Sequence, residues 1–268
     1  MRSSDEGVWT IKELQKLLFE ISSNERITIL LELQQQKLKL SHISRKLKLN
    51  LTEASRHLQR LCEHKLIQKD SNGLYGLTQF GSLTLSLLSG LLFISRHRDY
   101  FLEYDVSILP YEFVDRIGEL EEGVYEAETL SNIEEGAKGI REAREFIWIL
   151  SDQLITSTIP ALMGKVKGPF DLRIALPENM FPPESESRIP SNTPGVQKRG
   201  LSKVDALVIM TEKYAFFCLP NRSGRKDYSG FNGTDPKFRK WCRDLFLHYW
   251  EQAKPIGPAW VPEKISKG

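Results

Sequence analysis

The chain has 268 residues, 40% of them hydrophobic and 27% charged, with a formal net charge of +2; that composition excludes a disordered chain and leaves length for two domains. Three cysteines, Cys62, Cys218 and Cys242, stand far apart with no CxxC pair, which excludes a disulfide framework and a zinc-type spacing and leaves no metal or cofactor to expect. The amino terminus has no signal-type apolar core, and the longest apolar stretch, Leu83 to Ile94, is broken by Thr84, Ser86, Ser89 and Gly90. It falls short of the roughly 20 apolar residues of a membrane span, so a cytoplasmic protein with no membrane partner is expected.

In chain order, Ile11, Leu14, Leu17, Leu18 and Ile21 recur at helical spacing. Ser23 or Asn24 is placed to cap a second helix carrying Ile27, Leu30, Leu31 and Leu33, Ser41 a third with Ile43 and Leu47, and Thr52 opens a fourth. Charge is unevenly spread over this order. Lys37 to Lys69 holds nine Lys or Arg against Glu53 and Glu63, whereas Asp99 to Glu145 holds fourteen Asp or Glu against four Arg or Lys. The first run can attract a polyanion; the second reads as a solvated acidic face.

The stretch "LTEASRHLQRLCEHKLIQKDSNGLYGLTQFG", residues 51–81, joins the fourth helix to two short apolar runs. Ala54, Leu58 and Leu61 lie on one helical face, which turns Thr52, Ser55, Arg56 and Gln59 to the opposite side with Arg60 on the flank. Leu66-Ile67 and Leu74-Tyr75-Leu77 flank Asp70-Ser71-Asn72-Gly73, whose Asn-Gly pair is expected to supply the positive φ values of a hairpin turn. Three helices followed by a two-stranded wing is the winged helix-turn-helix order. A helix of this kind fits the major groove of double-stranded DNA, so Thr52, Ser55, Arg56, Gln59 and Arg60 are expected to read bases. Arg45, Lys46, Lys69 and Asn72 would then hold the phosphate backbone. A wing fold used only for protein association stays open. Cys62 lies on the same helix, where burial as a small apolar residue and redox sensing are both open.

From Thr78 a leucine-rich helix of about five turns follows. Leu83, Leu87, Leu91 and Ile94 make one seam and Leu85, Leu88 and Leu92 another, which fits burial against the winged domain on one side and a second subunit on the other, or burial within one chain. A homodimer is the expectation.

The segment "LTQFGSLTLSLLSGLLFISRHRDYFLEYDVSILPYEFVDRIGELEEG" resembles the connector of archaeal winged-helix transcriptional regulators with a methanogenesis-regulator-type effector domain, and "DYSGFNGTDPKFRKWCRDLFLHYWEQAKP" resembles the same family. With the winged domain the likeness covers residues 8 to 255. It implies an archaeal regulator with an amino-terminal DNA reader and a carboxyl-terminal sensor, and it carries no catalytic residues.

Read from its residues, the second half alternates strand and helix. Val124 to Glu128 is a strand, Ile133 to Arg144 a helix, "EFIWILSD" a buried strand, "QLITSTIPALMGKV" a helix interrupted by Pro160, and "DLRIALP" another strand. A Pro- and Ser-rich loop covers 177–200, then "VDALVIM" and "YAFFCLP" form a hairpin about Thr211-Glu212-Lys213. "DYSGFNG", 227–233, reads as a lid or a plain loop. Asp235 caps a last helix with Pro236 at its first position and a packed aromatic face.

Ligands of such sheets bind past the carboxyl ends of parallel strands. Ser151 and Asp152, just past "EFIWIL", are therefore candidate contacts for a small-molecule effector, a simple helix cap being the alternative, and Arg173 is a third candidate. The sheet resembles the phospholipase D-like fold, but no His is followed two residues later by Lys, and GxSxG, HExxH and a phosphate loop are absent from the sequence. The expectation is an α+β chain without catalytic residues: a winged helix-turn-helix domain (1–78), connecting and dimerisation helices (79–122), and an α/β effector-sensing domain (123–268).

Overall fold

The computed structural model describes residues 4–155, 158–165, 170–181, 189 and 193–256, with side chains from residue 11 on. Contacts divide the chain into two compact units between Ser89 and Gly90, inside the segment expected as the connector.

The first unit is built on helix stops and starts. Helix α1 (Ser4–Ile21) turns Leu17 and Ile21 inward, whereas Ile11, Leu14 and Leu18 of the same periodic stretch are exposed. Ser23 caps α2 (Asn24–Gln35), its hydroxyl accepting from the Arg26 amide. Strand β1 (Leu38–Lys39) leads directly into α3 (Leu40–Leu47), so Ser41 falls inside the first turn and is not the cap that its position suggested. Lys48 closes α3 in the left-handed region at φ 56°. Asn50, not Thr52, starts α4 (Leu51–Glu63): Asn50 Oδ1 accepts from the Glu53 amide at 2.8 Å, and the Glu53 carboxylate accepts from the Asn50 amide at 3.3 Å.

The hairpin follows as β2 (Ile67–Lys69) and β3 (Leu74–Leu77), with β1 added in the antiparallel order β1-β3-β2. Its turn is fixed by Asp70, whose Oδ1 accepts from the amides of Asn72 and Leu74 at 3.0 Å each. Gly73 alone sits at positive φ (77°), so Asn72 does not take the left-handed position expected of an Asn-Gly pair. Ile29, Leu30, Ile43, Leu58, Leu61 and Leu66 are fully buried at the centre of this unit. Helix α5 (Gln79–Arg96) is capped by Thr78, whose hydroxyl accepts from the Gly81 amide at 2.9 Å. Its side chains split along the two expected seams except at Leu92, which is half-buried and not part of the core that Leu85 and Leu88 join. Leu85 is buried and Leu88 packs on the same core, while Leu83, Leu87, Leu91 and Ile94 are exposed.

The second unit is organised by a mixed eight-stranded sheet in the order β11-β7-β6-β5-β8-β9-β10-β4. These strands are β4 (Val124–Glu126), β5 (Phe146–Leu150), β6 (Asp171–Pro177), β7 (Val196–Leu201), β8 (Leu207–Thr211), β9 (Ala215–Cys218), β10 (Gly230–Gly233) and β11 (Lys254–Pro255). Among the described residues, β5, β6 and β7 run parallel to one another and the remaining pairs are antiparallel, so the parallel neighbours expected from the strand-helix alternation are β5, β6 and β7, and the expected hairpin is β8–β9. Strand β7 lies where a loop was expected, and β10 replaces the expected lid or loop.

One face of the sheet packs against α6 (Arg98–Glu103), α7 (Tyr111–Asp115) and α10 (Pro236–Gln252) around Tyr100, Phe113, Trp241, Phe246 and the inward residues of β8 and β9. The other face carries α8 (Thr129–Glu142) and α9 (Ile159–Lys165) over Ile147, Ile149, Leu172 and Ile174. Gln153 to Ile155 are not helical, so the helix expected from residue 153 begins only at Ile159 among the described residues. No helix of the described residues is long and apolar enough to cross a membrane, and no group of three His, Cys, Asp or Glu among them is placed to hold a metal.

Candidate nucleic-acid interface

Helix α4 separates its two sides completely. Ala54, Leu58 and Leu61 have no accessible surface, while Thr52, Ser55, Arg56 and Gln59 are all exposed. Arg56 makes no ion pair among the described residues, and the Gln59 amide donates to Glu63 at 2.9 Å along the helix. The exposed face therefore offers two hydroxyls, a guanidinium and an amide group on one rigid element.

The cations expected around it fall into two groups. Arg45 on α3 is exposed and without an ion pair among the described residues. Lys69 on the hairpin is exposed, with its ammonium 5.4 Å from the Tyr75 ring centroid. Asn72 is exposed at the hairpin turn. By contrast, Lys46 is paired with Glu32 of α2, and Arg60 is turned away from the reading face. Arg60 donates from Nε and Nη2 to the two Glu20 oxygens at 3.1 and 2.5 Å. Arg60, on the flank of α4 as its spacing indicated, thus has its guanidinium engaged in an ionic cluster with Glu20 of α1, unlike Arg56, which is unpaired among the described residues.

That cluster was not legible in the sequence. Glu20 is 1% exposed; its carboxylate accepts from Arg60 and lies 3.3 Å from Arg26 Nε and 3.4 Å from His64 Nε2. Arg26, itself buried, also donates to the carbonyls of Glu20 and Phe19 at 2.6 and 2.7 Å. Burial works to raise the Glu20 carboxyl, but the Arg60 hydrogen bond and the charges of Arg26, Arg60 and His64 outweigh it and hold the pKa below its ordinary value. The cluster ties α1, α2 and α4 together. Cys62 is half-buried, and burial pushes its thiol up, which disfavours the thiolate that redox sensing needs.

In the second unit the three candidate ligand contacts are not brought together. Ser151 is 3% exposed, its amide bonded to the Ala175 carbonyl. Asp152 faces the Lys226 ammonium at 3.7 Å, and the neighbouring Gln153 donates to the Tyr228 hydroxyl at 2.9 Å. Arg173 projects to the α10 side of the sheet, in register with Trp148, over whose ring its guanidinium lies at 4.4 Å; its Nε donates to Asp171 at 3.1 Å. Ser151 and Asp152, just past the end of β5, make no hydrogen bond or ion pair with Arg173 among the described residues.

No family model matches the chain, and no curated protein does. Among solved structures, that of TrmBL2, described as an archaeal chromatin protein showing a novel mode of DNA binding, is similar over 95% of this chain and 100% of its own, at 14% identity and a TM-score of 0.44, which is a remote likeness.

Proposed function

We propose that this chain is a cytoplasmic DNA-binding transcriptional regulator of the winged helix-turn-helix type. Its second unit would be a non-catalytic sensor, phospholipase D-like in its sheet but without the His-x-Lys motif, that modulates operator binding through a small ligand. The observation that carries the reading is the exposed, hydrogen-bonding face of α4, with Arg56 free among the described residues and a hairpin bearing Lys69 immediately after it. Arg and Gln can each bond a base edge in two places, about 1–3 kcal/mol of discrimination per good pair.

A second reading, association with another protein and no specific site on DNA, draws on the pairing of Lys46, Arg60 and Lys37 with Glu32, Glu20 and Asp70, which removes three cations from phosphate contact. One titration separates the two. Binding to a selected operator and to random duplex, measured across a salt series, should fall steeply with salt and favour the operator. The variant Arg56→Ala/Gln59→Ala should lose that preference. Binding indifferent to salt and sequence supports protein association instead.

The homodimer is part of the same proposal. It rests on the row Leu83, Leu87, Leu91 and Ile94, exposed along one side of α5. Sedimentation of the wild type and of Leu87→Glu tests it, with a monomer expected for the variant.

A further inference from the structure

The sheet carries a cleft of about 560 Å³ at the opposite end of β5 from Ser151, between β5, the β8–β9 turn and the first two turns of α10. Its volume lies within the roughly 300–1000 Å³ of small-molecule pockets. Its walls are Phe146, Trp148, Glu212, Arg239, Lys240 and Arg243.

The charge on these walls is positive and only partly compensated. Arg239 donates from Nε to the Thr234 carbonyl at 3.0 Å and from Nη1 to the Glu212 carbonyl, so it has hydrogen bonds but, among the described residues, no counter-ion. Lys240 and Arg243 share one carboxylate, Asp244, at 2.9 and 3.5 Å, and Arg116 holds that same group at 2.8 Å. The Glu212 carboxylate is committed to the backbone amides of Arg144 and Glu145 at 2.9 and 3.4 Å. The amides at the start of α10 are not available either, since Asp235 accepts from those of Lys237 and Phe238. An anion here would be held by side chains.

The remaining wall is aromatic. Phe146 and Trp148 lie 4.9 Å apart at 42°. The Trp148 indole stacks on Phe246 at 5.2 Å, carries the Arg173 guanidinium over its ring at 4.4 Å, and donates from Nε1 to Asp171 at 3.0 Å. A ligand in the cleft therefore has the Phe146 ring as its aromatic wall beside Trp148, whose indole N–H is already bonded to Asp171.

We propose that this cleft binds an organic anion, a carboxylate or phosphate attached to a flat apolar body, with Lys240 and Arg243 on the anionic group and Phe146 against the body. The site gives the effector half of the preceding reading a location and a ligand class. Its test involves no DNA, so the two fail separately.

Phenyl phosphate is a suitable probe, followed in the full-length protein by the indole N–H resonances of ¹⁵N-labelled tryptophan, with Trp148→Phe to assign the signal. The Trp148 resonance should shift saturably with phenyl phosphate and stay still with phenol. Lys240→Gln/Arg243→Gln, changing two exposed side chains, should weaken binding about tenfold or more, because each charge-assisted bond contributes strongly. Benzoate in place of phenyl phosphate distinguishes the two anionic groups by relative affinity. The proposal is overturned if the Trp148 signal does not saturate at millimolar probe, if phenol shifts it equally, or if the double variant, with its spectrum otherwise unchanged, binds as the wild type does.

Discussion

Helices α4 and α10 share a design and diverge in use. Each begins with a side-chain cap, Asn50 in one and Asp235 in the other, and each places apolar residues three and four apart. In α4 the stripe is narrow and small, ending with Ala54, Leu58 and Leu61, and the whole opposite side is open to solvent. In α10 the stripe is wide and aromatic, including Phe238, Trp241, Phe246 and Trp250, and Arg239, Lys240 and Arg243 line a cleft. The difference teaches that a basic helical face says little until its shape is known. A convex row of polar groups suits a long groove, and a concave one suits a small anion.

The comparison breaks first at the two stripes. Trp241→Ala removes a fully buried indole and its 3.1 Å bond to the Phe113 carbonyl, and should cost about 4 kcal/mol. Leu58→Ala, fully buried on α4, should cost about 3 kcal/mol. Denaturant titration checks both, and equal losses at the two positions would contradict the wider packing of α10.

Next is the cluster behind α4. Glu20→Gln leaves Arg26 without its carboxylate partner and should cost about 2–3 kcal/mol. Because Glu20 is held below its ordinary value when folded, its contribution is present above the unfolded carboxyl pKa, about 4.3, and is lost as pH falls through the folded value. An acid titration of stability should therefore be flatter for Glu20→Gln than for the wild type.

Smaller effects sharpen the likeness. Asn50→Ala and Asp235→Ala each remove a cap and should cost about 1 kcal/mol, read by thermal melting. Smallest of all, Arg56→Ala should change stability by no more than about 0.5 kcal/mol, since its side chain is exposed and without an ion pair among the described residues. A larger loss would mean that Arg56 supports the fold.

Elements with strong local signals were legible in the sequence. Strands β6 and β8, the hairpin of β2 and β3, and the Asp235-Pro236 start of α10 stand where pattern and caps put them. The failures have physical causes. β10 reads as a loop because of its glycines, yet a Cβ on Gly230 would lie 2.4 Å from the Phe217 carbonyl oxygen, so close strand approach requires glycine there. β7 carries Gln197, Lys198 and Arg199 in sequence, which hides its period of two. Much of the candidate interface was visible as periodicity, since the buried and exposed sides of α4 follow from spacing alone. The Glu20 cluster was not, because it joins residues 40 and more positions apart in Arg60 and His64. The cleft was missed for a related reason: the pattern of α10 marks only its aromatic face, and Arg239, Lys240 and Arg243 gain a site only when Phe146 and Trp148 of β5 are brought beside them.

The reciprocal cap of Asn50 and Glu53 has a consequence for how any duplex would approach. Two amides at the tip of α4 are already taken, and a carboxylate stands beside them. A phosphate is thus repelled from the point where a helix would ordinarily welcome it. A duplex bound as proposed would be steered broadside, along Ser55, Arg56 and Gln59, instead of end-on.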